Sequence, residues 1–215
     1  MLKLLKKEIV LSAHPTTIIM LLLSPMVMIP NYPYSVVFFY ITLSLFFTCI
    51  QGRENNDIIY SLNLPIAKKD IVKARMAFAV ILEFAQLLIT IPFAILSQKV
   101  NVAGNSAGIE PNLVYFGIGF IIYGVYNFIF FTRYYKDVNK IGATFTITSI
   151  VIFVLIAIEV TLTFAVPFVR DCLDTKDPAY LSYKLIALVI GIVLYFIMTF
   201  LAYKRSVKSF EQIDL

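Results

Sequence analysis

Charge is scarce in this sequence and tryptophan is absent: Asp, Glu, Lys and Arg make up only 14% of the 215 residues, while 60% are hydrophobic. Soluble domains carry about 25% charged residues, and a water-facing surface cannot be built from so small a supply. A soluble domain, a disordered chain and a nucleic-acid-binding module are thereby excluded. Histidine occurs once, at His14, and cysteine twice. Cys49 lies in an apolar run and Cys172 in a charged loop, so neither a disulfide framework nor a metal cluster follows. There is no G-x-x-x-x-G-K-[ST] phosphate loop, H-E-x-x-H pair or N-x-[ST] sequon, and an A-x-A-like site after the first apolar run is missing too. A cleaved signal peptide is not expected.

Long charge-free runs are what the chain does have. Residues 16–52 carry no charge across 37 positions, which as one helix would measure about 55 Å against a hydrocarbon core of roughly 30 Å. Pro30-Asn-Tyr-Pro33-Tyr34 breaks helices and supplies a turn, dividing the run into spans 16–30 and 35–52. Further spans are expected at 76–98, 113–132, 141–169 and 185–203. The expectation is an all-α integral membrane protein, one transmembrane domain of six helices over 1–215. Fourteen of the 18 basic residues fall in the termini and in the loops after the second and fourth spans, leaving Lys99, Arg170, Lys176 and Lys184 on the other side. By the positive-inside rule both termini are cytoplasmic.

The opposite loops, 99–112 and 170–184, are too short to fold as domains. Residues 1–14 place Leu2, Leu5 and Ile9 at helical spacing beside Lys3, Lys6 and Lys7. They read as an interfacial helix on the inner leaflet ending near His14-Pro15, or as a basic flank orienting the first span. The longest cytoplasmic loop is the most informative. Residues 54–62 can form a short helix with Glu54 and Asp57 in its first turn and Ile58, Ile59 and Leu62 presented on one side. Pro65 then suits the first turn of the next helix.

The pattern Gly52-Arg-Glu54…Ser61-Leu-Asn-Leu-Pro65-Ile-Ala-Lys-Lys-Asp-Ile-Val72-Lys-Ala-Arg75 resembles the cytoplasmic loop of small type-2 ABC exporter permeases. Asn63-Leu64 is inserted relative to their Ser-Leu-Pro order. The start Met-Leu-Lys-Leu-Leu-Lys-Lys-Glu and the tail Lys204-Arg-Ser206-x-x-x-Phe210-Glu-x-x-Asp214 are similar to that family as well. Within it, size and pattern come nearest to permeases of bacteriocin or phenol-soluble-modulin-type peptide exporters. The resemblance implies a bacterial cell-membrane permease that exports amphipathic or antimicrobial-type peptides. It further implies a second permease chain, identical or not, and two separate ATP-binding subunits docked on 54–70 through Glu54, Asp57, Ile58, Ile59 and Leu62. ATP and Mg would sit on those subunits, and this chain would bind no cofactor and catalyse nothing.

Two carboxyls lie within spans. Glu83 shares a helix face with Gln86 and Thr90 near the bilayer middle, where an acid faces protein or water. It either lines a translocation path or buttresses neighbouring helices. Glu159 sits toward the outer face, as an acid in interfacial water or where the fifth span meets a re-entrant segment, a feature the resemblance implies. Gly117 and Gly124, seven apart, share one helix face and allow close packing. Tyr32, Tyr34, Tyr134, Tyr135 and Tyr203 suit interfacial belts. A lipid-modifying membrane enzyme and a non-transporting immunity or binding protein remain the alternatives.

Overall fold

A computed structural model describes residues 2–101 and 104–212; Asp214 of the tail pattern lies outside them. All regular structure among the described residues is helical. The helices are α1 (Leu2–Lys7), α2 (Thr16–Leu21), α3 (Val36–Glu54), α4 (Asp57–Leu62), α5 (Lys68–Val100), α6 (Leu113–Tyr134), α7 (Ile141–Ala165) and α8 (Leu181–Glu211). Five of them, α3 and α5 to α8, are long and apolar enough to cross a membrane. A sixth span exists only if the bent pair Leu2–Ser12 and Thr16–Met28, angled at 98°, counts as one.

The expected first span, 16–30, is not one continuous helix. α2 stops at Leu21, and a tight 3-10 turn, Ser24–Met28, follows. Pro25 has no N–H and its ring crowds the carbonyl of Leu21, while the Ser24 hydroxyl donates to that same carbonyl at 2.7 Å. The fifth span ends at Ala165 rather than 169, because Val166 is extended ahead of Pro167 (φ −106°, ψ 111°), as the proline ring requires of its predecessor. A π-turn, Val169–Leu173, follows. α5 and α8 outrun the expected limits: at 33 residues, α5 measures about 50 Å, longer than a hydrocarbon core of roughly 30 Å. Pro65 precedes that helix instead of opening it, since Ala67 is the residue before its first turn.

α6 is the central helix, and its pairing with α8 is the most extensive in the molecule. A Cβ on Gly117 would lie 2.9 Å from the Ala187 carbonyl oxygen, and one on Gly191 2.3 Å from that of Gly117. The two backbones touch there, which only glycine allows. Further along, a Cβ on Gly124 would meet the Tyr195 Cα at 3.0 Å, so both predicted packing glycines face α8. Asn112 starts α6 by accepting the Val114 amide at 2.9 Å and the Tyr115 amide at 3.3 Å. Its side-chain amide donates to the Leu173 and Thr175 carbonyls, fastening the two far-end loops together. At the opposite end, where α1 begins and α8 ends, buried Phe210 packs edge-on against Tyr135 and Lys68 sits 5.9 Å from its ring.

Candidate functional site

The terminal end of the bundle is organised around one guanidinium. Arg75, on the first turns of α5, is 2% exposed, and an isolated buried cation is prohibitively costly. It is paired with two carboxylates, Glu8 on the π-turn after α1 and Asp57 at the start of α4. Its Nη2, the nitrogen on Asp57, also donates to the Ser12 hydroxyl at 3.0 Å, and Nη1 donates to Cys49 Sγ at 3.7 Å. Ser12 donates to Asp57 at 2.8 Å, and Lys7 Nζ lies 2.6 Å from Glu8 and 3.6 Å from Asp57. Lys7 also donates to Ser61 at 3.2 Å, and the Asn55 amide to the Leu11 carbonyl at 2.7 Å. Burial pushes the Asp57 carboxyl up, but Arg75, Lys7 and the Ser12 hydroxyl together hold it below the usual carboxylate range. The network thus clamps the short helix α4 to the amino-terminal segment and to a membrane-crossing helix.

Local sequence explains why α4 stands where it does. Asn56 adopts a left-handed conformation (φ 50°), which asparagine tolerates better than most residues. The chain therefore turns sharply out of α3, and Glu54 closes α3 on the exposed surface instead of opening the next helix. The expected common face of Ile58, Ile59 and Leu62 divides. Ile58 is 9% exposed and Leu62 half-buried, whereas Ile59 is 55% and Tyr60 52% exposed. Positions i and i+4 share a helix side and i+1 does not, so Ile58 and Leu62 pack inward while Ile59 points out. Ile58 lines a cleft of about 110 Å³ with Tyr134 and Val138.

A second polar cluster lies in the bundle interior. Glu83 is fully buried and accepts hydrogen bonds from the Tyr195 hydroxyl at 2.6 Å and the Asn127 amide at 3.1 Å, and Asn127 also donates to Thr199. Gln86 instead donates to the Val37 carbonyl at 3.3 Å, and Thr90 to Gln86 at 2.7 Å. Glu83 therefore joins α5 to α6 and α8, and Gln86 joins α5 to α3. Glu159 is remote from both clusters; its Oε1 accepts the Ile109 amide at 3.1 Å. His14 stands at the bend before α2, its Nδ1 accepting the Thr16 amide at 3.2 Å and its ring stacked on Phe47.

Glu8 and Arg75 were not singled out as a pair, because 67 positions separate them and each reads locally as an ordinary flank charge. Gly104-Asn-Ser106-Ala-Gly108 reads G-x-S-x-G, yet Ser106 is an exposed loop residue bonded to Asn31, and His14 lies at the other end of the bundle. The strand–turn–helix setting of a nucleophile elbow is not present among the described residues, and neither is a metal-holding group of His, Cys, Asp and Glu.

Five helices long and apolar enough to cross a membrane, in an all-helical bundle, define the class: a multi-pass membrane protein. Residues 3–206 match the family model described as ABC-2 family transporter protein, and the chain belongs to that family. Its members are membrane components that normally work with ATP-binding subunits. No curated protein and no solved structure matches the chain.

Proposed function

We propose that this chain is the permease subunit of an ATP-driven exporter in a bacterial cell membrane, with both termini cytoplasmic. It pairs with a second permease chain, identical or homologous, and with two separate ATP-binding subunits that hold ATP and Mg. The chain itself carries no catalytic step. Amphipathic or antimicrobial-type peptides are its substrates, a reading supported by the likeness of residues 51–75 and of the tail to small peptide-exporter permeases.

The observation that carries the proposal is the clamp on α4. A permease without a phosphate loop receives conformational work from another polypeptide, and the receiving element must be stiff. α4 is tied by Asp57 to Arg75 of α5 and through Ser12 and Lys7 to the amino-terminal segment, while Ile59 and Tyr60 face outward. Burying those two side chains would contribute on the order of 1.5–3 kcal/mol each before ordering costs, and exposed Glu54 would set orientation. Ile59→Asp with Tyr60→Asp should leave the protein inserted and thermally stable but abolish co-purification with its ATPase. Ile58→Asp should instead destabilise the permease itself. Normal ATPase binding by a well-folded Ile59→Asp, Tyr60→Asp variant defeats the proposal.

A further inference from the structure

An apolar pocket of about 240 Å³ lies between α6, α7 and the turn Val169–Leu173, at the end opposite the termini. Ile118, Ile121 and Ile122 of α6 form one wall, with Leu155 and Ile158 of α7 facing them. Among its lining residues only Glu159 is ionisable. A carboxylate offers about four acceptor positions, and the Ile109 amide occupies one at 3.1 Å. Among the described residues no cation pairs with Glu159: Lys184 is held by Asp177 and the Thr175 carbonyl, and Arg170 by Asp171. The next amide along, that of Glu110, donates to Asp174 at 2.7 Å, which places a second carboxyl close by.

We propose that this pocket binds a single-chain cationic amphiphile, its aliphatic chain between α6 and α7 and its ammonium on the Glu159 carboxylate. The walls are largely aliphatic and end at an acid that the Ile109 amide and the Ser35 hydroxyl approach but that no cation among the described residues pairs with, so they complement a chain with one cationic head. The volume falls below the roughly 300–1,000 Å³ of drug-sized ligand sites, which suits one chain and not two. A phosphate beside the ammonium would meet Glu159 and Asp174, so a zwitterionic phospholipid is the wrong occupant. The site is remote from α4 and stands independently of how an ATPase docks there.

The absence of tryptophan makes a single introduced tryptophan a clean reporter. Leu155→Trp places one in the pocket wall, and Ile190→Trp places one on the exposed apolar face of α8. Both proteins, in phosphatidylcholine nanodiscs, would be titrated with an ω-bromododecylammonium, whose bromine quenches the indole. Tryptophan at 155 should be quenched at a concentration about tenfold lower than at 190, because the charge-assisted contact exists only at the pocket. Adding Glu159→Gln, which keeps an acceptor for the Ile109 amide, should abolish that difference, and the ω-bromo alcohol should show none. Ile121→Phe, which fills the pocket without touching Glu159, should also abolish it and decides the matter if the glutamine variant is poorly folded. Equal quenching at both positions, retention in Glu159→Gln or Ile121→Phe, or equal selectivity for the alcohol would overturn the proposal. Selective quenching by a bromine-labelled phosphatidylethanolamine would do so in favour of a phospholipid.

Discussion

Arg75 shows how much one side chain can hold when lipid limits the supply of polar partners. Its guanidinium joins Glu8, Asp57, Ser12 and Cys49, and removing it would leave two buried carboxylates sharing Lys7 as their one counter-charge among the described residues. Breaking such a group by deleting one member costs about 3–5 kcal/mol, whereas replacing all its charges together is far less damaging. Arg75→Met should therefore lower the thermal midpoint sharply in nanodiscs, and the Lys7→Met, Glu8→Gln, Asp57→Asn, Arg75→Met quadruple variant, which removes every charge of the network, should recover much of the loss. A quadruple variant no more stable than Arg75→Met would show that the ion pairs are incidental. Glu83 holds differently, through the neutral donors Tyr195 and Asn127, which serve it as a helix-joining acceptor in this conformation.

At the scale of elements, the far-end loops act as one unit with the turn Val169–Leu173. The Lys184 ammonium reaches the Thr175 carbonyl at 2.6 Å and Asp177 at 3.1 Å. Gln98 donates to the Pro111 carbonyl at 2.8 Å, and its side-chain oxygen accepts the Asp177 amide at 2.9 Å. Asp174 lies at the centre of this packing. Burial raises its carboxyl to about 7, the Glu110 and Glu159 charges reinforcing the rise and the Glu110 amide opposing it. A carboxyl raised on folding binds its proton more tightly in the folded state. Its stabilising contribution is therefore complete below the unfolded value and is lost as pH climbs through about 7. Hydrogen exchange of the 104–112 and 169–180 amides, corrected for intrinsic rates, should slow from pH 8 to pH 5.5, and Asp174→Asn should flatten that dependence. An unchanged profile in Asp174→Asn would remove Asp174 as the cause.

For the whole molecule, the distribution of basic residues sets the expected direction of insertion. Cys49 is buried, so one substitution, Cys172→Ser, leaves a background with little thiol labelling. In that background, a cysteine at exposed Ala179 should react with an impermeant reagent on intact cells, and one at exposed Asn63 only after lysis. The reverse pattern would overturn the placement of both termini in the cytoplasm. The same bundle explains why α8 is apolar nearly all round: Ile186, Val189, Ile190, Val193 and Phe196 are at least 49% exposed. Without a bilayer they would form an apolar surface far larger than soluble monomers display.

The need for lipid, the helical class and the five helices long and apolar enough to cross a membrane were legible in local sequence. Each rests on composition or hydrophobic run length, quantities that hold whatever the chain packs against. The interrupted first span was half-legible: Pro25 was visible in the run, but not that Ser24 and the 3-10 turn would accommodate it. What Asp57 does could not be read at all. Its surroundings suggested an exposed acid at the start of a short helix, and only the tertiary structure brings Arg75, Ser12 and Lys7 around it from segments 18, 45 and 50 positions away. Ile58 and Ile59 differ for the same reason: adjacent identical side chains have equal hydrophobicity, and the anchoring of Asp57 rotates one into the core and the other out. Glu159 completes the pattern, an acid whose apolar pocket exists only because α6, α7 and the turn beyond Pro167 converge. Periodicity and composition describe a chain's preference for its solvent, whereas the partner of a particular charge is fixed by which distant segments share its space.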